Sequence, residues 1–409
     1  MDFELTRSEN DEALLSQLDS IRTAENLQVL IPFAKAYLGM FYVIDKELPE
    51  KEKVELLANH DLAEALLSGF VSSLDENKLP SIADIGHAKA ENRELTEGYV
   101  VLAGLDLVAK KSLSAIQDLP KKIIEAAIGF HFSNNSGYQN IWFDYLLEKD
   151  AVNIARIISQ YWVAMLKNNT AFLPGRNLVL GDKPNAVISE HSILLLLEHW
   201  RYCKTKTLLQ LLHVAFKYSN TKDLLAVCER VLENDDSLNE RSRLYWIATA
   251  YLIYPDKYLA LLTNYVTRVK LKIMPLLDFI TLIMNDKNKT IVEINPKIIV
   301  QLLRLIAPIF PPQHHVYGAI GALDINSKNV LLMFYYLLCT DDERADSEIK
   351  LLRKARVMKI YSAVIDHVLK LRIQRTNKDG FPLPDFDSYI EILIEGKLLQ
   401  SRSNKFDLR

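Results

Sequence analysis

Apolar residues return at every third or fourth position along almost the whole chain. Leu224, Leu225, Cys228, Val231 and Leu232 show the spacing, as do Ile298, Ile299, Leu302, Leu303 and Ile306. That interval places side chains on one face of an α-helix, whereas a half-buried strand alternates with period two. Sustained alternation is scarce. The pattern predicts about eighteen helices of roughly 10 to 20 residues, joined mostly by short polar links. Asn295-Pro296 marks a helix start, because Asn caps the first turn and a proline at the first helical position has no N–H to lose. Pro120 and Pro255 read the same way.

Ser192 to Leu197 and Val330 to Leu338 are apolar on nearly every face, which fits helices covered on two sides. Trp142, Trp162, Trp200 and Trp246 each fall in a helical pattern, and the last two intervals are near the 40 or so residues of a helix-pair repeat. The expected fold is therefore all-α, an irregular α-solenoid of HEAT- or TPR-like helix pairs. Three longer links, Thr170 to Asn185, Phe310 to Ser327 and Thr376 to Ser388, combine Gly, Pro and polar residues and read as loops. Pro311-Pro312 opens the second, and Asn326 or Ser327 is the expected cap of the helix after it. The expected segments are an acidic helical region over 1–80, a central array over 81–310 and a C-terminal helical region over 311–409.

Composition supports this reading. With 49% hydrophobic and 25% charged residues the chain of 409 has the balance of a folded protein, and 13 glycines with 14 prolines favour long helices over many turns. Cys203, Cys228 and Cys339 form no CxxC pair, which argues against a disulfide framework or a cysteine zinc site. The start Met1-Asp2-Phe3-Glu4 is unlike a signal peptide, and the longest apolar run, Val330 to Cys339, is half a bilayer span. A cytoplasmic protein without a membrane partner is expected. The net charge of −3 is unevenly spread, with 9 basic and 20 acidic residues in the first 100.

Motifs that carry chemistry are scarce. Gly181-Asp182-Lys183 and Gly396-Lys397-Leu398 lack the glycines and hydroxyl of a phosphate loop and read as turns. There is no HExxH. His191 and His199 lie eight residues, or ~12 Å of helix rise, apart, too far to share an ion, and are expected in the core or at an interface. His314-His315 reads as a solvated loop tip, and no GxSxG elbow presents a serine. No catalytic, cofactor or metal residue is assigned, and the chain is expected to be no enzyme.

The clearest charge feature is the stretch 350–378. It carries Lys350, Arg353, Lys354, Arg356, Lys359, Lys370, Arg372, Arg375 and Lys378 against Asp366, with Asp379 just beyond. Val357, Ile360, Tyr361, Val364, Ile365 and Val368 are expected to form an inward stripe that leaves Arg356 and Lys359 outside. Arg353, Arg356, Lys359, Arg372 and Arg375 are the candidate partner-binding residues, since guanidinium groups meet phosphates or carboxylates bidentately. The competing readings are an ordinary solvated face or a contact with the acidic N-terminal region.

Three stretches carry a family resemblance. Phe130 to Trp162, with Trp142-Phe143-Asp144-Tyr145-Leu146-Leu147 and Tyr161-Trp162, resembles the helical region that follows the nucleotide-binding module of large bacterial NACHT or STAND-type defence proteins. Leu238 to Tyr258, with Arg243-Leu244-Tyr245-Trp246 and Pro255-Asp256-Lys257-Tyr258, is similar to a second patch of it. Phe381 to Leu408, keeping Asn404, Asp407 and Leu408, is the third. The resemblance implies a HEAT-like array that senses a foreign ligand while separate modules, absent from this sequence, hydrolyse nucleotide and act as effector. The expected function is a non-catalytic scaffold for recognition of a protein ligand, in bacterial antiviral defence. The alternatives are a nucleic-acid-binding repeat protein using 350–378, and an enzyme whose site is assembled from distant residues.

Overall fold

Polar caps set where many of the helices begin. Asn26, Asn59, Ser81, Asp150, Asn185, Asn239, Asn295 and Asp385 each accept a backbone N–H of the first helical turn through the side chain, satisfying a donor that the helix itself leaves open. The computed structural model describes residues 2–134, 140–168, 170–200, 203–234, 238–267, 273–284, 294–311, 313–317, 320–323, 325–377 and 382–402. Among these it is a helical array, as the spacing predicts.

Two compact units divide between Lys204 and Thr205, inside the span 81–310 that sequence groups as one array. The first holds α1 (Phe3–Leu14), α2 (Leu18–Arg22), α3 (Leu27–Tyr37), α4 (Glu50–Glu55), α5 (His60–Ser72) and α6 (Ile82–Ala90). It continues through α7 (Glu97–Lys111), α8 (Lys121–Asn134), α9 (Ile141–Lys149), α10 (Ala151–Leu166), α11 (Asn177–Leu180) and α12 (Ala186–His199). The second holds α13 (Thr205–Tyr218), α14 (Thr221–Asn234), α15 (Glu240–Ile253), α16 (Pro255–Thr267) and α17 (Ile273–Met284). It ends with α18 (Pro296–Ile306), α19 (Ile325–Cys339), α20 (Arg344–Lys354), α21 (Ser362–Asn377) and α22 (Phe386–Glu395). The surplus over the eighteen expected includes α2, α4 and α11, of 5, 6 and 4 residues, too short to show a period of 3.6.

Many helices pack on the one two places along the chain. In the first unit α5 packs on α7, α6 on α8, α8 on α10 and α10 on α12; in the second α13 packs on α15, α15 on α17, α17 on α19 and α19 on α21. Helices two places apart stack side by side, the layered arrangement of a solenoid. Glycines permit the tightest crossings. At Gly104 an added Cβ would stand 2.1 Å from the Phe70 carbonyl oxygen, so α7 rides on the backbone of α5 only because nothing projects there.

All four tryptophans are buried. Trp162 Nε1 donates to the Pro174 carbonyl at 2.8 Å and Trp200 Nε1 to the Thr170 carbonyl at 3.1 Å, so two indoles fix the link between α10 and α12. Ser192, Ile193, Leu196 and Leu197 are buried, and so are Val330, Leu331, Met333, Phe334, Leu337 and Leu338, as their all-round apolar character predicts.

Three readings are corrected. The 310–327 link is not simply a loop: Gln313–Tyr317 (β1) pairs antiparallel with Ile320–Leu323 (β2), and β1 pairs parallel with Gln400–Arg402 (β3). Strands this short, one of them reaching a partner more than 80 residues away, leave no local alternation to read. The capping of the next helix also moves, since α19 begins at Ile325, before Asn326 and Ser327. Val357 and Ile360 are not inward, being 54% and 37% exposed. Tyr361, Val364, Ile365 and Val368 are buried as expected, but Arg356–Tyr361 is a 3-10 helix, whose three residues per turn bury Met358 in place of Val357 and Ile360.

Candidate recognition site

The five basic candidates are dispersed by the fold. Arg372 is only 8% exposed. Its Nη1 donates to the carbonyls of Leu337 (2.8 Å), Leu338 (3.3 Å) and Thr340 (2.7 Å), its Nη2 to Asp342 O, and its Nε to the Asp346 carboxylate. Arg375 donates to Cys339 O at 3.1 Å and pairs with Asp341. The last carbonyls of α19 have no intrahelical donor, and their end of the helix is negative, so two arginines one turn apart on α21 close it. Arg353 binds Asp366 bidentately at 2.7 and 3.0 Å. Arg356 and Lys359 stay exposed on the 3-10 helix. The structure thus turns two of the candidates into a helix cap and pairs a third within the chain.

A different site emerges in the first unit. The helix α10 is packed by α6, α8 and α12, and Ile154, Ile157, Ile158, Tyr161, Trp162 and Met165 are buried around it. Val152, Arg156, Ser159, Gln160, Val163 and Lys167 remain on one arc spanning about 100° of the helical wheel. They form the floor of a groove of about 750 Å³, walled by Ile82, Ala83 and His87 of α6 and by His191 and Leu195 of α12. Gly86 brings the α6 wall close, since a Cβ there would lie 2.8 Å from the Tyr161 carbonyl oxygen and 2.9 Å from the Ala164 Cβ.

Apolar atoms make up most of the groove's exposed lining. Val152 is 55% exposed, while Val163 and Leu195 are partly covered. Ser159 is 8% exposed, yet its hydroxyl has no hydrogen-bond partner among the described residues. A buried hydroxyl of this kind carries its desolvation cost uncompensated. Among the polar lining residues Arg156 donates to Asn153 Oδ1 at 2.6 Å, His87 Nδ1 lies 3.4 Å from Asn168 Nδ2, and His191 Nδ1 donates to the Val187 carbonyl at 2.9 Å. Lys167 stands at the far end, and Asp150 at the near end, where its Oδ1 caps α10 by accepting from Asn153 N at 3.4 Å. His191 and His199 are therefore exposed and not in the core.

Nothing in the groove is arranged to attack. The Ser159 hydroxyl makes no hydrogen bond to a histidine, so no general base is set to activate it. Burial pushes the Cys203 thiol up to about 11 and raises those of Cys228 and Cys339, the opposite of the lowered pKa of a reactive cysteine. Among the described residues no three His, Cys, Asp or Glu side chains stand close enough to hold a metal ion, and no helix is long and apolar enough to cross a membrane.

Sequence reasoning misses this site because its two walls come from segments more than 100 residues apart. The only local signal is the α10 face itself, where Asn153, Arg156, Ser159 and Gln160 interrupt an otherwise apolar helix. Comparison of the chain with protein-family models, with curated proteins and with solved structures gives no match.

Proposed function

We propose that the protein is a non-catalytic helical-repeat scaffold that captures a protein partner in the groove over α10. The observation that carries this reading is the single stripe of α10 where apolar side chains, two cations and a buried unpartnered hydroxyl stand together. Covering Val152, Val163 and Leu195 would gain ~1 to 2 kcal/mol each, enough to anchor a partner. A layered array suits the role, because stacked helices hold a concave face rigid and leave its side chains free to vary. The likeness of 130–162 and 238–258 to the helical regions of NACHT-type proteins supports the same role, with the captured partner a foreign protein and the setting bacterial antiviral defence.

The basic stretch 350–378 is the weaker surface. Arg353, Arg372 and Arg375 are already engaged within the chain, and exposed Val357 and Ile360 break up what remains of a phosphate-binding face. The test is selection of a displayed random 16-residue peptide library on the full chain, with binders re-tested on Val163→Arg. Binders lost on that substitution are expected. A set of binders none of which is weakened by it would contradict the reading.

A further inference from the structure

We infer that the occupant of the groove is an acidic amphipathic helix of about four turns, presented by the protein partner; this rests on the recognition reading above and specifies the ligand. Four features of the groove lead to it.

The first is length. Val152, in the first turn of α10, and Lys167, its C-cap, bound the floor and lie fifteen residues apart, which at 1.5 Å per residue is ~22 Å, or four helical turns. The second is the backbone. The groove is built from α6, α10 and α12, whose N–H and C=O groups beyond the first and last turns are consumed within the helices. An extended peptide would bring unpaired backbone groups against Val152, Val163 and Leu195 and find no strand edge to pair with. A helix arrives with those bonds already made.

The third is openness. Of the fourteen lining residues, Asp150, Val152, Arg156, Gln160, Lys167 and His191 are exposed, so a small molecule lying there would keep much of its surface in water. Small-molecule sites cover most of their ligand, whereas a helix needs only one face covered. The fourth is charge. Arg156 and Lys167 stand on the floor, against the single carboxylate of Asp150, which is occupied as the α10 cap. A carboxylate-rimmed helix complements this pattern and a lysine-rimmed one is repelled.

The experiment uses the full chain. Library peptides whose affinity falls at least about tenfold on Val163→Arg are synthesised and titrated by fluorescence anisotropy. The expected sequences carry apolar residues at three- and four-residue spacing flanked by Glu or Asp, and a central proline weakens them by more than about tenfold. Replacing their acids with lysine abolishes binding to the native chain and restores it on the exposed-site double variant Arg156→Glu, Lys167→Glu, which leaves the packing of α10 untouched. Groove-directed peptides that are basic, or that tolerate the proline, overturn the helix inference and leave the recognition reading standing. If no peptide responds to Val163→Arg or to the double charge swap, both fall.

Discussion

The Arg372 guanidinium reaches from α21 to the carbonyl of Leu337 at 2.8 Å, in the last turn of α19. With Arg375 beside it, this is how the chain terminates a helix whose final carbonyls would otherwise be buried without donors. Replacing Arg372 strands those carbonyls and the Asp346 carboxylate together. Arg372→Leu is expected to destabilise the second unit by ~3 kcal/mol in urea titration, and Arg372→Lys to recover little, since an ammonium cannot span the same acceptors. Arg356→Ala should change stability by less than ~0.5 kcal/mol, the ordinary range for an exposed residue. Equal effects at the two positions would refute the capping role.

Ser159→Ala separates stability from recognition. Its hydroxyl is buried and unpartnered, so removing it should leave the midpoint of unfolding unchanged or raise stability by up to ~1 kcal/mol. The same substitution should change the affinity of groove-directed peptides by less than about twofold, because the hydroxyl is closed to an incoming side chain. A loss of stability above ~1 kcal/mol would mean that the hydroxyl has a structural role.

Gly86→Ala tests the α6 wall. On an exposed helix the change would stabilise by up to ~1 kcal/mol. Here the new methyl meets the Tyr161 carbonyl oxygen at 2.8 Å, and a backbone atom cannot step aside. A net destabilisation of ~1 to 3 kcal/mol is expected by thermal or urea unfolding, together with weaker peptide binding as α6 is pushed off α10. A more stable variant would show that the two helices have slack between them.

His131 gives the first unit a pH dependence. Its ring stacks on Phe143 with centroids 4.7 Å apart, and Asn140 Nδ2 lies 2.7 Å from its Nδ1. An amide nitrogen can only donate, so Nδ1 accepts and the ring is neutral. Burial lowers its pKa from 6.5 to about 4, partly opposed by Asp144. A depressed folded pKa contributes stability that is complete above about 6.5 and fades as pH falls through about 4, to a total of ~3 kcal/mol. Urea midpoints should fall between pH 7 and pH 4.5 in the native chain and less so in His131→Gln, each referred to its own value at pH 7. Parallel slopes would remove His131 as the cause.

The helical class was legible because burial on a helix repeats within four residues, and the doubly covered segments around Ser192 and Val330 announced their place between neighbours. Asn295-Pro296 marked its helix to the residue, with Asn295 as cap and Pro296 first. Relations between elements were not legible. Arg372 and Arg375 look like surface cations until α19 ends beside them, and Val357 and Ile360 follow a 3.6 period that the local 3-10 winding breaks. The groove needed Ile82, Val163 and Leu195 on one surface, and no pattern within a window of helical length can bring those three together.

The most direct measurement of the central claim sets the two candidate surfaces against each other. One selected peptide is titrated by anisotropy onto the native chain, onto Val163→Arg and onto Arg356→Glu, Lys359→Glu. The groove account predicts at least about a tenfold loss for the first variant and less than about twofold for the second. The reverse order, with the groove variant binding like the native chain, would contradict it.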